Sequence, residues 1–287
     1  MHNRPGNILE ISELTKVFEK RIVAVDSLSL TIPRGELFAF LGPNGAGKTT
    51  TLKMICGLCL PSSGTVKIGG VTLGRNRKEY LSRVGLVSQH FNIDLDLSAY
   101  ENMTVHAFLH KMKGKSVRNK INSLLDFTGL TDDRNRVVRS FSGGMKRKLQ
   151  IVRALLHDPE IIFLDEPTAG LDAHAREKIW NLIKSLAVGG KTIFFSTHYI
   201  EEAENYADRV GIINKGKLIR LEKPLQLIAE LGQWCRKTFI NGKTLRTYYL
   251  RKEDAESDNG IEYKKLTIRR TQLEDVFIHM TGEEGFL

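Results

Sequence analysis

Apolar positions along the chain follow two periods, and the switches between them lay out the elements. Residues 8–18 (ILEISELTKVF) and 24–32 alternate apolar with polar, as half-buried strands do. Pro33-Arg34-Gly35 turns the chain into 36–41 (ELFAFL), a short apolar run that predicts a buried strand. Residues 49–58 open a helix with Leu52, Ile55 and Cys56 at core spacing. A turn at 61–64 leads to a hairpin around Gly69-Gly70, and 83–90 is a further strand ending at Gln89. The stretch 91–157 reads as mostly helical. Ser98-x-x-Glu101 is a capping box, 111–120 is a solvated lysine-rich face, and Ile121, Leu124 and Leu125 form an apolar stripe. Ser142-Gly143-Gly144 opens a long helix whose buried face is Leu149, Ile151, Val152, Leu155 and Leu156.

Residues 160–167 (EIIFLDEP) and 191–198 (KTIFFSTH) are continuous apolar runs, suited to strands covered on both faces of a parallel sheet. An amphipathic helix at 175–188 lies between them; helix, strand, Asn214-Lys215-Gly216 turn and strand follow. Strands alternating with helices predict an α/β domain with a largely parallel central sheet. From about Leu221 the pattern changes. A hairpin turning at Asn241-Gly242, a polar loop at 252–260, a strand at 263–268 and a helix capped by Thr271-x-x-Glu274 predict a small appended α/β unit over 221–287.

Composition adds bounds. The 287 residues are 41% hydrophobic and 26% charged, with a formal net charge of +10. That is ordinary globular composition whose positive balance suits anionic partners: nucleotide, nucleic acid or an anionic membrane leaflet. No run reaches the ~18 apolar residues of a membrane span, and 1–12 lacks a signal-peptide core. Three cysteines make no disulfide framework, and the Cys56/Cys59 pair sits in an apolar helix, where both read as small core residues. A reduced, cytosolic protein is expected.

The chemistry centres on 42–50, GPNGAGKTT. Gly42, Gly47, Lys48 and Thr49 fit Gly-x-x-x-x-Gly-Lys-[Ser/Thr] between a strand and a helix. The glycines let backbone N–H groups turn around phosphate oxygens, and the helix N-terminus adds partial positive charge. Lys48 would reach the β- and γ-phosphates and the Thr49 hydroxyl would hold Mg²⁺. Asp165 and Glu166 end a buried strand, where ligands bind in open α/β sheets. One carboxylate there can hold Mg²⁺ and the other can polarise the attacking water. Phe18, at a strand end, is either a core phenylalanine or a platform for an adenine ring.

With these residues in order, the chain resembles the ATP-binding subunit of an ABC transporter over nearly all of 8–221. Gly42, Pro43, Asn44, Gly45, Ala46, Gly47, Lys48, Thr49 and Thr50 match Walker A and imply ATP binding. Residues 161–166 match Walker B, implying that Asp165, with Thr49 and Gln89, holds Mg²⁺ and that Glu166 is the catalytic base. Gln89 matches the Q-loop glutamine, Leu171-Asp172 the D-loop and His198 the switch histidine. Lys48, Gln89, Glu166 and His198 are thereby the expected catalytic set. Phe18 matches the aromatic A-loop position, which favours base stacking. Ser142, Gly143 and Gly144 match the signature that faces the ATP of a second subunit. Met145 departs from the usual glutamine there and leaves contacts near the ribose in doubt. Lys146-Arg147-Lys148 and the tail 271–282 resemble the drug- and glycoconjugate-export branch.

The resemblance implies a P-loop fold of ABC type with a central largely parallel sheet, an antiparallel β subdomain, a helical subdomain at about 91–157 and a C-terminal α/β extension. It divides the chain into an ATPase domain, 1–220, and an accessory domain, 221–287. It implies ATP and Mg²⁺ as ligands, a membrane permease as partner, and a homodimer or paralogous dimer at the cytoplasmic membrane face. No stable nucleic-acid partner is expected. The rival is a non-transport ABC protein acting on ribosomes or nucleic acid; such proteins usually carry two cassettes or a long coiled-coil insertion, and this sequence has neither.

Overall fold

The computed structural model describes residues 6–240, 243–257 and 265–282. The chain begins with β1 (Asn7–Phe18), β2 (Ile22–Pro33) and β3 (Leu37–Leu41), then α1 (Lys48–Ile55). β4 (Ser63–Ile68), β5 (Val71–Thr72), α2 (Arg77–Ser82) and β6 (Val84–Val87) follow. α3 (Ala99–Leu109), α4 (Lys115–Phe127) and α5 (Gly143–Leu155) make up the helical stretch. The remaining core elements are β7 (Ile161–Asp165), α6 (Ala173–Val188), β8 (Thr192–Thr197), α7 (Ile200–Tyr206), β9 (Arg209–Asn214) and β10 (Lys217–Glu222). The chain ends in α8 (Pro224–Leu231), β11 (Trp234–Ile240), β12 (Lys243–Tyr249), α9 (Lys252–Ser257), β13 (Lys265–Arg270) and α10 (Leu273–Thr281).

A six-stranded sheet in the order β10-β9-β3-β8-β7-β6 forms the centre. Its strands are parallel except β10, which returns antiparallel beside β9. The apolar runs behave as expected: every residue of β3, β7 and β8 is buried. Strand parity sorts them between two cores. Leu37, Ala39 and Leu41 face the helices α3, α5 and α6. Phe38 and Phe40 face the other way, toward α1 and a four-stranded antiparallel sheet, β2-β1-β4-β5. There Phe194 gathers Phe38, Phe40 and Phe163 at ring-centroid distances of 5.2, 5.4 and 5.5 Å. β2 alternates as its sequence does, with Leu28, Leu30 and Ile32 buried and Ser29 and Thr31 exposed.

The C-terminal residues build a three-stranded antiparallel sheet, β12-β11-β13. α10 buries Leu273, Val276 and Phe277 in the same core as the central sheet. Three local readings change. Residues 252–257 of the supposed polar loop are helix α9, held by one buried residue, Ala255. The cap of α10 is Gln272 with Asp275, one position beyond Thr271 and Glu274. Asp275 sets that register: it is fully buried, grips the Arg269 guanidinium at 2.6 and 3.0 Å, and accepts from the Gln272 backbone N–H at 3.0 Å. α2 carries no signal in the sequence pattern, since Tyr80 is its only buried residue. The Asn241-Gly242 turn lies outside the described residues.

Candidate nucleotide site

Four loops leave the carboxyl ends of the parallel strands side by side, after β3, β6, β7 and β8. They bring Lys48, Thr49, Gln89, Glu166 and His198 to one cavity of about 460 Å³, with Asn44, Gly45, Gly47 and Thr50 on its wall. That volume lies within the range of cofactor and nucleotide pockets.

Two glycines are obligatory by geometry. A Cβ on Gly42 would stand 2.3 Å from the Ile213 carbonyl oxygen. One on Gly47, at φ +107°, would stand 2.5 Å from the Ala24 carbonyl oxygen. The loop between them therefore sits tight against β2 and β9. Lys48 is 5% exposed; its ammonium donates to the Gly42 carbonyl at 2.7 Å and the Pro43 carbonyl at 3.0 Å. Glu166 Oε1 lies 3.9 Å from it. Burial pulls the Lys48 pKa down, and the carboxylates Glu166 and Asp165 push back.

Glu166 is the meeting point. Gln89 Nε2 donates to its Oε2 at 3.1 Å, and His198 Nδ1 lies 3.2 Å from its Oε1. The His198 contact, aided by the charge of Lys48, holds its carboxyl below the ordinary range against the opposing effect of burial. Its backbone occupies the left-handed region, φ +48°, an unfavourable conformation for a residue with a side chain. Ser196 holds it there: the Glu166 N–H is 3.1 Å from both the Ser196 hydroxyl and carbonyl oxygens. The same hydroxyl donates to Asp165 Oδ1 at 2.6 Å. Thr49 Oγ1 donates to that carboxylate at 3.4 Å, so two hard oxygen ligands stand together, a donor set that fits Mg²⁺.

Of the expected contributors, Phe18, Gly42, Pro43, Ala46, Asp165, Ser142, Gly143 and Gly144 do not line this cavity. Phe18 is 45% exposed at the β1–β2 turn with the Lys16 ammonium 5.0 Å from its ring centroid, which excludes the core reading. Ser142 is exposed and caps α5 by accepting from the Met145 N–H at 3.3 Å. Gly143 and Gly144 pack under Leu171 and Ala175, so the signature and the cap of α6 at Asp172 share one surface. Sequence reasoning missed Ser196, Ala24 and the structural role of Arg147. Ser196 is one serine within an apolar run, and Ala24 acts through its backbone.

The family model described as ABC transporter matches residues 25–169. The Nod factor export ATP-binding protein I of Paraburkholderia xenovorans is 36% identical over 304 residues, covering 98% of this chain and 99% of that protein. Its namesake in Rhizobium johnstonii is 36% identical over 297 residues, covering 96% and 95%. Among solved structures, cbiO1 of Clostridium perfringens, part of the ABC transporter complex cbiONQ, superposes with a TM-score of 0.72 at 29% identity, covering 78% of this chain and 91% of that one. A dimeric ATP-binding cassette in a post-hydrolysis state, bound to ADP and Pi, gives 0.67 at 31% identity, covering 75% and 98%. The chain belongs to the ABC transporter family, as one of its ATP-binding, ATP-hydrolysing subunits.

Proposed function

We propose that this chain powers export through a separate membrane permease, docked at the cytoplasmic face. The observation that carries the reading is the convergence of Lys48, Gln89, Glu166 and His198 on one cavity while Ser142 lies outside it. A site so divided is completed by a second subunit, so a twofold dimer would sandwich two ATP molecules between one chain's Walker residues and the other's Ser142, Gly143 and Gly144. The export direction comes from the relatives, whose names specify it. Docking is supported by Val105, Phe108 and Leu109 on α3, which stand 47, 75 and 70% exposed.

In this reading the loop N–H groups from Gly42 to Thr50 and the Lys48 ammonium hold the phosphates. Glu166, kept ionised by its neighbours, takes the proton of the attacking water. His198 and Gln89 keep the carboxylate aimed and sense the γ-phosphate. Mg²⁺, held by Thr49 and Asp165 with Gln89 close by, would neutralise charge on the phosphates. Phe18, exposed at the β1–β2 turn, would stack on the adenine.

The test is purification of the intact complex from membranes. An integral-membrane chain should co-purify and stimulate an ATPase that Lys48→Ala abolishes. Co-purifying ribosomes or nucleic acid in its place would favour the non-transport reading.

A further inference from the structure

Three of the eight histidines in the chain meet outside the nucleotide cavity. His106 and His110 lie one helical turn apart at the end of α3. His157 comes from the connection between α5 and β7. One ring nitrogen from each lies within 4.8 Å of the others. The rings of His110 and His157 stack at 4.0 Å, and His106 stands 4.6 and 5.8 Å from them.

The nitrogens are disposed as ligands are. His157 Nε2 lies 2.9 Å from the Val84 carbonyl oxygen. A carbonyl only accepts, so Nε2 carries the proton and Nδ1 is left with a free lone pair. That Nδ1 is buried and has no hydrogen-bond partner; the same holds for Nε2 of His106. A backbone carbonyl fixing the tautomer of a ligating imidazole is the usual outer shell of a metal site. Burial keeps His106 and His157 in the neutral form that can ligate. A histidine pair at i, i+4 on one helix face is a known zinc-binding spacing.

We infer that His106, His110 and His157 form a site for a late first-row divalent cation, zinc(II) or a close relative, with a fourth position left to water. Three imidazoles with no carboxylate exclude calcium and magnesium, which require oxygen. A tetrahedral site with ~2.1 Å bonds has ligand atoms about 3.4 Å apart, so a metal would draw the three nitrogens together from within 4.8 Å and turn His110 out of its stack on His157. Bound metal would tie α3 to the β6 edge of the central sheet, through His157 and Val84. Arg153 and Lys120 stand near enough to repel a cation and weaken the site, and Asp158 near His157 opposes them.

The experiment uses tag-free, EDTA-stripped protein without nucleotide. Zinc chloride is titrated in competition with a chromophoric chelator, and cobalt(II) provides a visible-absorption signature. One metal per chain is expected. His106→Gln and His110→Gln, which leave the His157–Val84 contact in place, should each weaken binding by at least about tenfold and abolish the cobalt bands. Cys59→Ser should bind as the parent does. Circular dichroism confirms that each variant is folded. Absence of binding at micromolar zinc, or unchanged binding by the two folded histidine variants, overturns the site. Loss of binding in Cys59→Ser overturns it equally.

Discussion

Arg147 holds Gln89 by its backbone. The guanidinium is 1% exposed and donates to the Gln89 carbonyl at 2.9 Å and the Ser88 carbonyl at 2.8 Å. Gln150 adds a bond to the His90 carbonyl at 3.1 Å, and Arg153 one to the Asn92 carbonyl at 2.6 Å. α5, the helix that Ser142 opens, therefore clamps the loop whose glutamine touches Glu166. Burial lowers the Arg147 pKa only to about 10, so the fork stays charged.

That clamp makes Arg147→Lys informative. Lysine keeps the charge but cannot serve both carbonyls and Gln150 from one planar fork. Stability should fall by about 1–3 kcal/mol, from carbonyls left unpaired. ATP turnover should fall by about 10- to 100-fold through misplacement of Gln89, with ATP binding largely kept. Urea unfolding and steady-state kinetics measure both. A variant that loses stability but turns over normally would reduce Arg147 to a packing residue.

What the sequence disclosed and what it hid have physical causes. β3, β7 and β8 were legible because strands buried on both faces lose the apolar–polar alternation and read as continuous apolar runs. The phosphate loop was legible because close backbone approach admits only glycine at 42 and 47. Arg147 was not: within Lys146-Arg147-Lys148 it looks like its neighbours, and its burial comes from a loop almost 60 residues away in sequence, with the contacts at separations of 58 and 59. Ser196 was hidden likewise, because its two partners, Asp165 and Glu166, arrive from the end of β7 and the residue after it. The one-residue shift of the α10 cap was set by Arg269, a tertiary contact no capping pattern encodes.

Glu166→Gln tests the proposed base. The amide is isosteric and cannot accept a proton. Turnover should drop by about 10²–10⁴-fold while ATP still binds. The variant should accumulate as an ATP-bound dimer on size-exclusion chromatography. Near-normal phosphate release would move the base to another residue.

The histidine cluster makes stability depend on pH. His106 and His157 are pushed down to about 3 and about 4 from an ordinary 6.5, by burial first and by neighbouring positive charge. His110 acts on both; Arg153 adds to it at His106 and Lys120 at His157, where the Val84 carbonyl and Asp158 oppose. The folded state thus binds fewer protons than the unfolded chain below pH 6.5, and stability falls as pH drops from there toward 4. In EDTA, His157→Gln should flatten this slope by an amount on the order of 1 kcal/mol at mildly acidic pH. Parallel pH profiles for variant and parent would show that His157 titrates normally.

Ser142→Arg separates a site shared between chains from one complete in itself. Ser142 is exposed, absent from the cavity of Lys48, and on a helix that begins beyond the whole α3–α4 stretch. An arginine there leaves the chain's own phosphate loop untouched, so the monomer should bind ATP as the parent does. It should fail to dimerise with ATP and fail to hydrolyse it, because the bulky side chain occupies the partner's γ-phosphate position. Lys48→Ala fails for the opposite reason: its signature is sound and its phosphate loop lacks the cation. Mixing the two gives a heterodimer in which one site combines an intact Lys48 with an intact Ser142, while the other combines both defects. Part of the activity should return on mixing, and light scattering should show the ATP-dependent dimer reappear. Loss of ATP binding by the Ser142→Arg monomer would place the signature within its own chain's site. Full hydrolysis by that variant as a strict monomer would remove the shared site altogether.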